Sequence, residues 1–295
     1  MYNKLRSTLL RIVIYFAKTN SKFILKGLPG GYFNGSMGLL TDTTRTMAFC
    51  EVPKSAATTL KYIFYRMNSI YRTDPQDHEV HKFFNYSNSL RARNIDELVR
   101  LNNTNIFKFM FVRHPFERLV SAYNSKLERP KTRKASKNER KILIMQIRKY
   151  QEMNMNMSSN DPCLATSSSQ FPFSCFVDYV LAEAKNTHWW PYTELCRVCH
   201  VQYDLIGHVE DFHDDFQILL DKFPGNKVLM EISKQKKKRN CKNNCTEDKK
   251  GAYLQYFHQL AKTTILRLYH KYKSDFELGR YDFPTQYLEA VIDNI

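Results

Sequence analysis

The stretch Glu51-Val52-Pro53-Lys54-Ser55-Ala56-Ala57-Thr58-Thr59-Leu60-Lys61 sets a lysine and small hydroxyl residues between an apolar run and a helix-like pattern. Met47, Ala48, Phe49 and Cys50 form a segment of strand length, while Leu60, Ile63, Phe64 and Met67 recur at helical spacing. A strand, loop and helix in that order present unpaired backbone N–H groups at a helix N-terminus, where the dipole favours an anion. Pro53, Lys54, Ser55, Ala56, Ala57, Thr58 and Thr59 are therefore read as a phosphate or sulfate cradle. The alternative is a Pro-containing turn capped by Thr58 or Thr59. The glycines of G-x-x-x-x-G-K-[ST] are missing and the lysine precedes the small residues, which disfavours an ordinary nucleoside triphosphatase.

A second stretch, residues 107–123, repeats the pattern. The apolar run Phe107-Lys108-Phe109-Met110-Phe111-Val112 ends at Arg113, Pro115 suits a first helical turn, and Leu119, Val120 and Tyr123 continue at helical spacing. Arg113 offers a planar fork for a phosphate, and Ser121 adds a hydroxyl from the following helix. Two anion sites at strand ends imply a ligand with two separated phosphate-like groups.

The elements that position these residues follow from periodicity. Residues 19–46 are expected to be an irregular lead-in. The cradle helix is expected to end near Asn68, and a short helix is expected over 95–101, capped by Asn94. Residues 128–140 read as a charged exposed loop, 141–150 as helix, 153–170 as a Ser-rich surface excursion, and 173–184 as helix. A core strand over 203–209, a helix over 211–223, a loop over 233–250 and one long helix over 253–276 complete the pattern. Strands alternating with helices predict an α/β fold, a central mainly parallel sheet flanked by helices, with ligands at the carboxyl ends of the strands. Residues 46–288 are expected to form one domain, after a lead-in over 1–45 and before a tail over 289–295.

Lysine and arginine number 45 against 29 aspartates and glutamates, a net charge of +16. Such a balance suits polyanions: nucleic acid, an anionic membrane, or sulfated and uronic-acid glycans. Of the seven cysteines at least one is unpaired. Cys196, Cys199, Cys241 and Cys245 could be read as zinc ligands, but disulfide or free thiol is the favoured reading. Glycosylation sequons occur at Asn34, Asn85, Asn102, Asn156 and Asn244, an excess that leans towards the secretory pathway and a glycoprotein.

Together the two stretches resemble the nucleotide-binding motifs of the Golgi carbohydrate sulfotransferases, the family of chondroitin 4-O-, dermatan 4-O- and HNK-1 sulfotransferases. Val52-Pro53-Lys54 with the small residues that follow is similar to their 5′-phosphosulfate loop. Val112-Arg113 through Ser121-Ala122 is similar to their 3′-phosphate motif. His188-Trp189, residues 195–200 and residues 203–210 resemble the family's C-terminal signature. The resemblance covers residues 47–287 and implies a P-loop-like sulfotransferase fold. It implies transfer of a sulfuryl group from 3′-phosphoadenosine 5′-phosphosulfate to a glycan hydroxyl, most simply a chondroitin-type acceptor of proteoglycan biosynthesis, with no nucleic-acid partner and no metal. Lys54 is expected to stabilise charge on the leaving phosphate, Arg113 and Ser121 to hold the 3′-phosphate, and His81 to act as base, with His78 and His188 as contenders.

Departures from the pattern are His114 in place of a common acidic residue, Leu60 for tryptophan and Ala57 for cysteine. Relatives are membrane-anchored in the Golgi lumen, whereas residues 9–17 are apolar but too short to span and carry Arg11. They are read as a poor signal segment or a surface helix, so membrane association stays possible. Arg118, Arg129, Lys131 and residues 236–239 are candidates for gripping an acidic glycan. A nucleotide kinase, or a non-catalytic polyanion-binding protein on the same scaffold, stays open.

Overall fold

The computed structural model describes residues 39–68, 79–80, 83–84, 91–92, 105–128, 134–154, 162–163, 171–182, 186–234 and 249–289. These fall into two compact units, one of residues up to Val112 with Tyr192–Asn240 and one of Arg113–Pro191 with Cys241–Ile295.

The first unit is built on a five-stranded sheet in the order β3-β1-β2-β4-β5. Its strands are β1 (Leu39–Thr41), β2 (Met47–Cys50), β3 (Arg91–Ala92), β4 (Phe107–Val112) and β5 (Leu205–His208). β2, β4 and β5 run parallel, with Cys50 opposite Met110 and Val112 opposite His208. The carboxyl ends of the three core strands therefore lie along one edge. β1 pairs antiparallel with β2 and with β3, so the sheet reaches back into residues expected as irregular lead-in.

The turn that makes this possible is organised by Asp42. Its buried carboxylate accepts from the N–H groups of Thr46 and Met47 at 2.8 and 2.9 Å and from the hydroxyls of Thr44 and Thr46. A short polar residue capping its own turn stands in for the ladder bonds that the bend removes.

Helix α1 (Ala57–Asn68) packs its apolar face on the sheet, with Phe64 4.7 Å from Phe49 and 6.1 Å from Phe109 between ring centres. Further along come the short α5 (Tyr192–Leu195), α6 (Phe212–Lys222) and α7 (Lys227–Lys234). α7 was not foreseen; Asn226 starts it by accepting from the N–H groups of Val228 and Leu229, both at 3.1 Å. Arg66 of α1 reaches Glu231 of α7 at 3.0 Å.

Two bonds fix the stem from which the cradle rises. A disulfide joins Cys50, at the end of β2, to Cys196 just after α5. Lys61 on α1 pairs with Glu51, both buried, and so clamps the start of the helix to the end of the strand.

The second unit is helical: α2 (Pro115–Tyr123), a π-helical turn (Asn124–Glu128), α3 (Lys134–Asn154), α4 (Phe173–Leu181), α8 (Lys249–Phe257), α9 (Lys262–Gly279) and α10 (Thr285–Glu289). α3 begins seven residues earlier than periodicity indicated, because beyond Pro130 nothing breaks the helix and Arg140 is anchored to the Leu127 carbonyl at 2.6 Å. The excursion over 153–170 is not all surface, since Cys163 is buried and bonded to Cys175 of α4. The long helix expected over 253–276 is two helices. Leu260 turns back on the Phe257 carbonyl at 3.0 Å, burying both side chains, and α9 restarts from Ala261. The core joins Phe116, Leu119 and Tyr123 of α2 to Phe173, Phe176 and Val177 of α4 and to Ile265, Leu268, Tyr272 and Phe276 of α9. The helix expected over 95–101 lies outside the described residues.

The Cys50–Cys196 bridge closes a loop of 146 residues, so a Cys50→Ser/Cys196→Ser double variant is expected to lose about 3–5 kcal/mol. Thermal unfolding of the two proteins checks this; an unchanged Tm would show that the bridge adds nothing to the stem.

Candidate functional site

The cradle takes its form from backbone geometry. Lys54 and Ala56 both lie in the left-handed region, at φ 71° and 56°, with Ser55 between them. Alternation of hand turns successive N–H groups towards one side, the nest arrangement that receives anions without glycine. Each non-glycine residue there costs about 1–2 kcal/mol, and the surroundings supply the constraint. The Ser55 N–H donates to the Val52 carbonyl at 3.1 Å, with the disulfide and the Glu51–Lys61 pair below.

Above the nest the first helical bond runs from the Leu60 N–H to the Ala56 carbonyl at 3.1 Å, so the N–H groups of Ala57, Thr58 and Thr59 precede the α1 ladder. No acidic residue occupies the first turn. The Ser55 hydroxyl is buried, its residue 1% exposed, and has no hydrogen-bond partner among the described residues. Burying a hydroxyl without a partner costs free energy, which makes Ser55 a candidate donor to an anion seated on the cradle.

The second motif begins where β4 ends. Arg113 donates from Nη2 to the Tyr253 hydroxyl at 2.6 Å and lies 3.4 Å from Glu117, while its buried Nε has no hydrogen-bond partner among the described residues. A guanidinium held on one side by fixed partners presents its remaining donors in a set direction. Ser121 is half-buried on α2. His114 is packed among Phe276, Tyr281 and Tyr287 at ring-centre distances of 5.1 to 5.4 Å, and so carries packing in this motif. Burial first, then the charge of Glu117, pushes the Tyr287 hydroxyl well above its ordinary range and keeps it neutral.

Arg118 is a correction. It is 2% exposed and donates to the carbonyls of Trp190 and Thr187 at 2.9 and 3.0 Å, so it holds the 186–190 segment and does not grip a glycan. His188 donates its N–H to Asn186 and shares a ring contact with the same residue at 2.9 Å. His81 and His78 lie outside the described residues, as do Arg129, Lys131 and residues 236–239. Cys196 is committed to Cys50, which removes it from the zinc reading, while Cys199 is an exposed free thiol. Tyr253 was missed as a site residue; in sequence it is one more tyrosine at the head of a helix pattern.

Residues 37–282 match the family model described as the sulfotransferase family. The chain belongs to that family. It is 28% identical to carbohydrate sulfotransferase 11 of Mus musculus over 84% of its length and 68% of the relative's. It is 30% identical to carbohydrate sulfotransferase 10 of Xenopus laevis over 80% of its length and 65% of the relative's. With carbohydrate sulfotransferase 8 of Mus musculus the identity is 28%, covering 83% of this chain and 57% of the relative. The chain thus spans about two thirds or less of these relatives. No solved structure matches it. As a carbohydrate sulfotransferase family member it is an enzyme whose sulfuryl donor is 3′-phosphoadenosine 5′-phosphosulfate.

The residues present fit that donor. The nest and the amides of Ala57, Thr58 and Thr59 suit its 5′ end, and the unpartnered Ser55 hydroxyl supplies a donor that nothing else in the loop uses. Ser55→Ala is therefore expected to leave the Tm equal or higher, because it removes a buried unsatisfied group, and to weaken binding of adenosine 3′,5′-bisphosphate about tenfold. Thermal unfolding and calorimetric titration of the same preparation check both signs; unchanged affinity would remove Ser55 from the site.

Proposed function

We propose that this chain is a carbohydrate O-sulfotransferase acting on an acidic glycan, with the 4-hydroxyl of N-acetylgalactosamine in chondroitin as the leading acceptor. The observation that carries the donor half of this reading is the left-handed backbone at Lys54 and Ala56, with the buried Ser55 hydroxyl between them lacking a hydrogen-bond partner among the described residues. The acceptor half rests on the sequence resemblance and on the +16 charge, which suits a uronic-acid polymer.

The bound donor supplies an electrophilic sulfur and a good leaving group. Lys54, at the lip of the nest, is assigned the cation that offsets the charge gathering on the phosphate oxygen as the sulfur–oxygen bond breaks. The hydroxyls of Thr58 and Thr59 and the amides around them hold the same end. Arg113 and Ser121 hold the 3′-phosphate, the guanidinium being aimed by Tyr253 and Glu117. His81 is assigned the base that takes the proton of the attacking sugar hydroxyl, since neutral imidazole has a suitable affinity for it near neutral pH. The acceptor oxygen bonds to sulfur, its proton passes to His81, and adenosine 3′,5′-bisphosphate leaves. Lysine and helix amides carry the charge in this scheme, so it uses no metal.

Buried disulfides at Cys50–Cys196 and Cys163–Cys175 fit an oxidising compartment, and a Golgi-lumen location is the reading adopted here. Among the described residues no helix is long and apolar enough to cross a membrane.

The test is transfer of labelled sulfate to a panel of desulfated chondroitin, dermatan, heparan and glucuronylated acceptors. Chondroitin is expected to be labelled first, and Lys54→Ala to lower kcat about 10²–10³-fold while heparin binding is unchanged. His81→Ala is expected to cost a further-independent loss of about 10²–10⁴. Full activity in Lys54→Ala would contradict the mechanism, and heparin binding without any transfer would favour the non-catalytic polyanion reading.

A further inference from the structure

Within the second unit, the segment that ends at Pro191 is pinned from two helices. Arg118 of α2 donates to the carbonyls of Trp190 and Thr187, and the Tyr272 hydroxyl of α9 donates to the Trp189 carbonyl at 2.5 Å. The two tryptophans of this segment then have different fates. Trp189 is 1% exposed and meets Phe176 edge-on at 5.2 Å, so it belongs to the core. Trp190 is only half-buried. A fixed backbone thus keeps part of a large, flat indole at the surface.

Helix α9 brings positive charge to that indole. Lys271, next to Tyr272, places its amine 5.1 Å from the centre of the Trp190 ring. Arg267, four residues earlier, lies on the same side of α9 and is exposed. From Lys249 to Ser274 the chain carries no aspartate or glutamate. The two acids of α9 come later: Asp275 is buried, and Glu277 pairs with Lys273 at 3.8 Å. Like charges at i,i+4 repel each other, so Arg267 and Lys271 gain when an anion lies across them. Cations beside an aromatic plane match an acidic sugar, whose carboxylate meets the charges while the C–H face of its ring meets the indole.

The mechanism above makes no use of these residues. We propose that Trp190, Lys271 and Arg267 form a surface subsite for one acidic sugar unit of a polymeric glycan. This rests on the acidic-glycan reading of the preceding section and adds where on the chain such a polymer is gripped.

Trp189 and Trp190 are the two tryptophans of the protein, and the first is enclosed, so intrinsic fluorescence reports on the second. The experiment titrates the full chain with desulfated chondroitin, dermatan and heparan polymers, following tryptophan emission and calorimetric affinity together. Binding is expected to shift the emission to shorter wavelength and to shield it from acrylamide. In Arg267→Gln/Lys271→Gln the affinity is expected to fall about tenfold. Lys141→Gln/Lys149→Gln removes the same charge from exposed positions of α3 and is expected to change it less than about twofold. Polymer binding without a change in emission, or equal effects of the two double variants, overturns the subsite and leaves the acidic-glycan reading standing. A single-stranded oligonucleotide that gives the same shift at the same concentration overturns the assignment to a glycan. If the native chain binds none of the three polymers, the acidic-glycan reading fails and the inference falls with it.

Discussion

The left-handed backbone at Lys54 and Ala56 is the constraint on which the rest of the first unit depends. Neither residue is glycine, so the conformation opposes the intrinsic preference of the chain by a few kcal/mol in total. Strain of this kind persists only where neighbours over-determine it. Here the stem is closed twice, by the Cys50–Cys196 bridge and by the buried Glu51–Lys61 pair, and the Ser55 N–H is tied to Val52. The reward is a set of backbone donors aimed before any ligand arrives, which is what lets a charge-stabilising site act without reorganising.

A common logic links the two motifs. Each begins at the carboxyl end of a parallel strand and runs into a helix, and each carries a cationic residue close to the strand end. Lys54 rises from a fixed loop, and Arg113 is braced by Tyr253 and Glu117. Partners that consume some donors of a guanidinium also orient those that remain. Arg118, five residues from Arg113, shows the opposite use of the same side chain: fully enclosed, it spends its donors on the carbonyls of Thr187 and Trp190.

That contrast marks what could be read in the sequence. β2, β4, the end of α1 at Asn68 and the start of α2 at Pro115 were legible because apolar periodicity and a proline signal act locally. β1 was not, since three residues become a strand only through their partners on either side. The break between α8 and α9 was hidden because no glycine or proline marks it and the apolar spacing runs through Leu260. Burial of Phe257 and Leu260 on one core decides it instead. Within the candidate site, Lys54 and Arg113 stood out through residue type and position. The contact of Tyr253 with Arg113 and the pairing of Cys50 with Cys196 were not legible, since each joins residues far apart in the chain.

The most direct measurement is a crystal structure of the protein with adenosine 3′,5′-bisphosphate. The account predicts that the 5′-phosphate sits on the N–H groups of Ala57, Thr58 and Thr59 with Ser55 donating to it, and that Lys54 and Ala56 keep their left-handed backbone. A 5′-phosphate bound elsewhere, or a loop that abandons that backbone to receive it, would contradict the claim that the cradle is built in advance for this ligand.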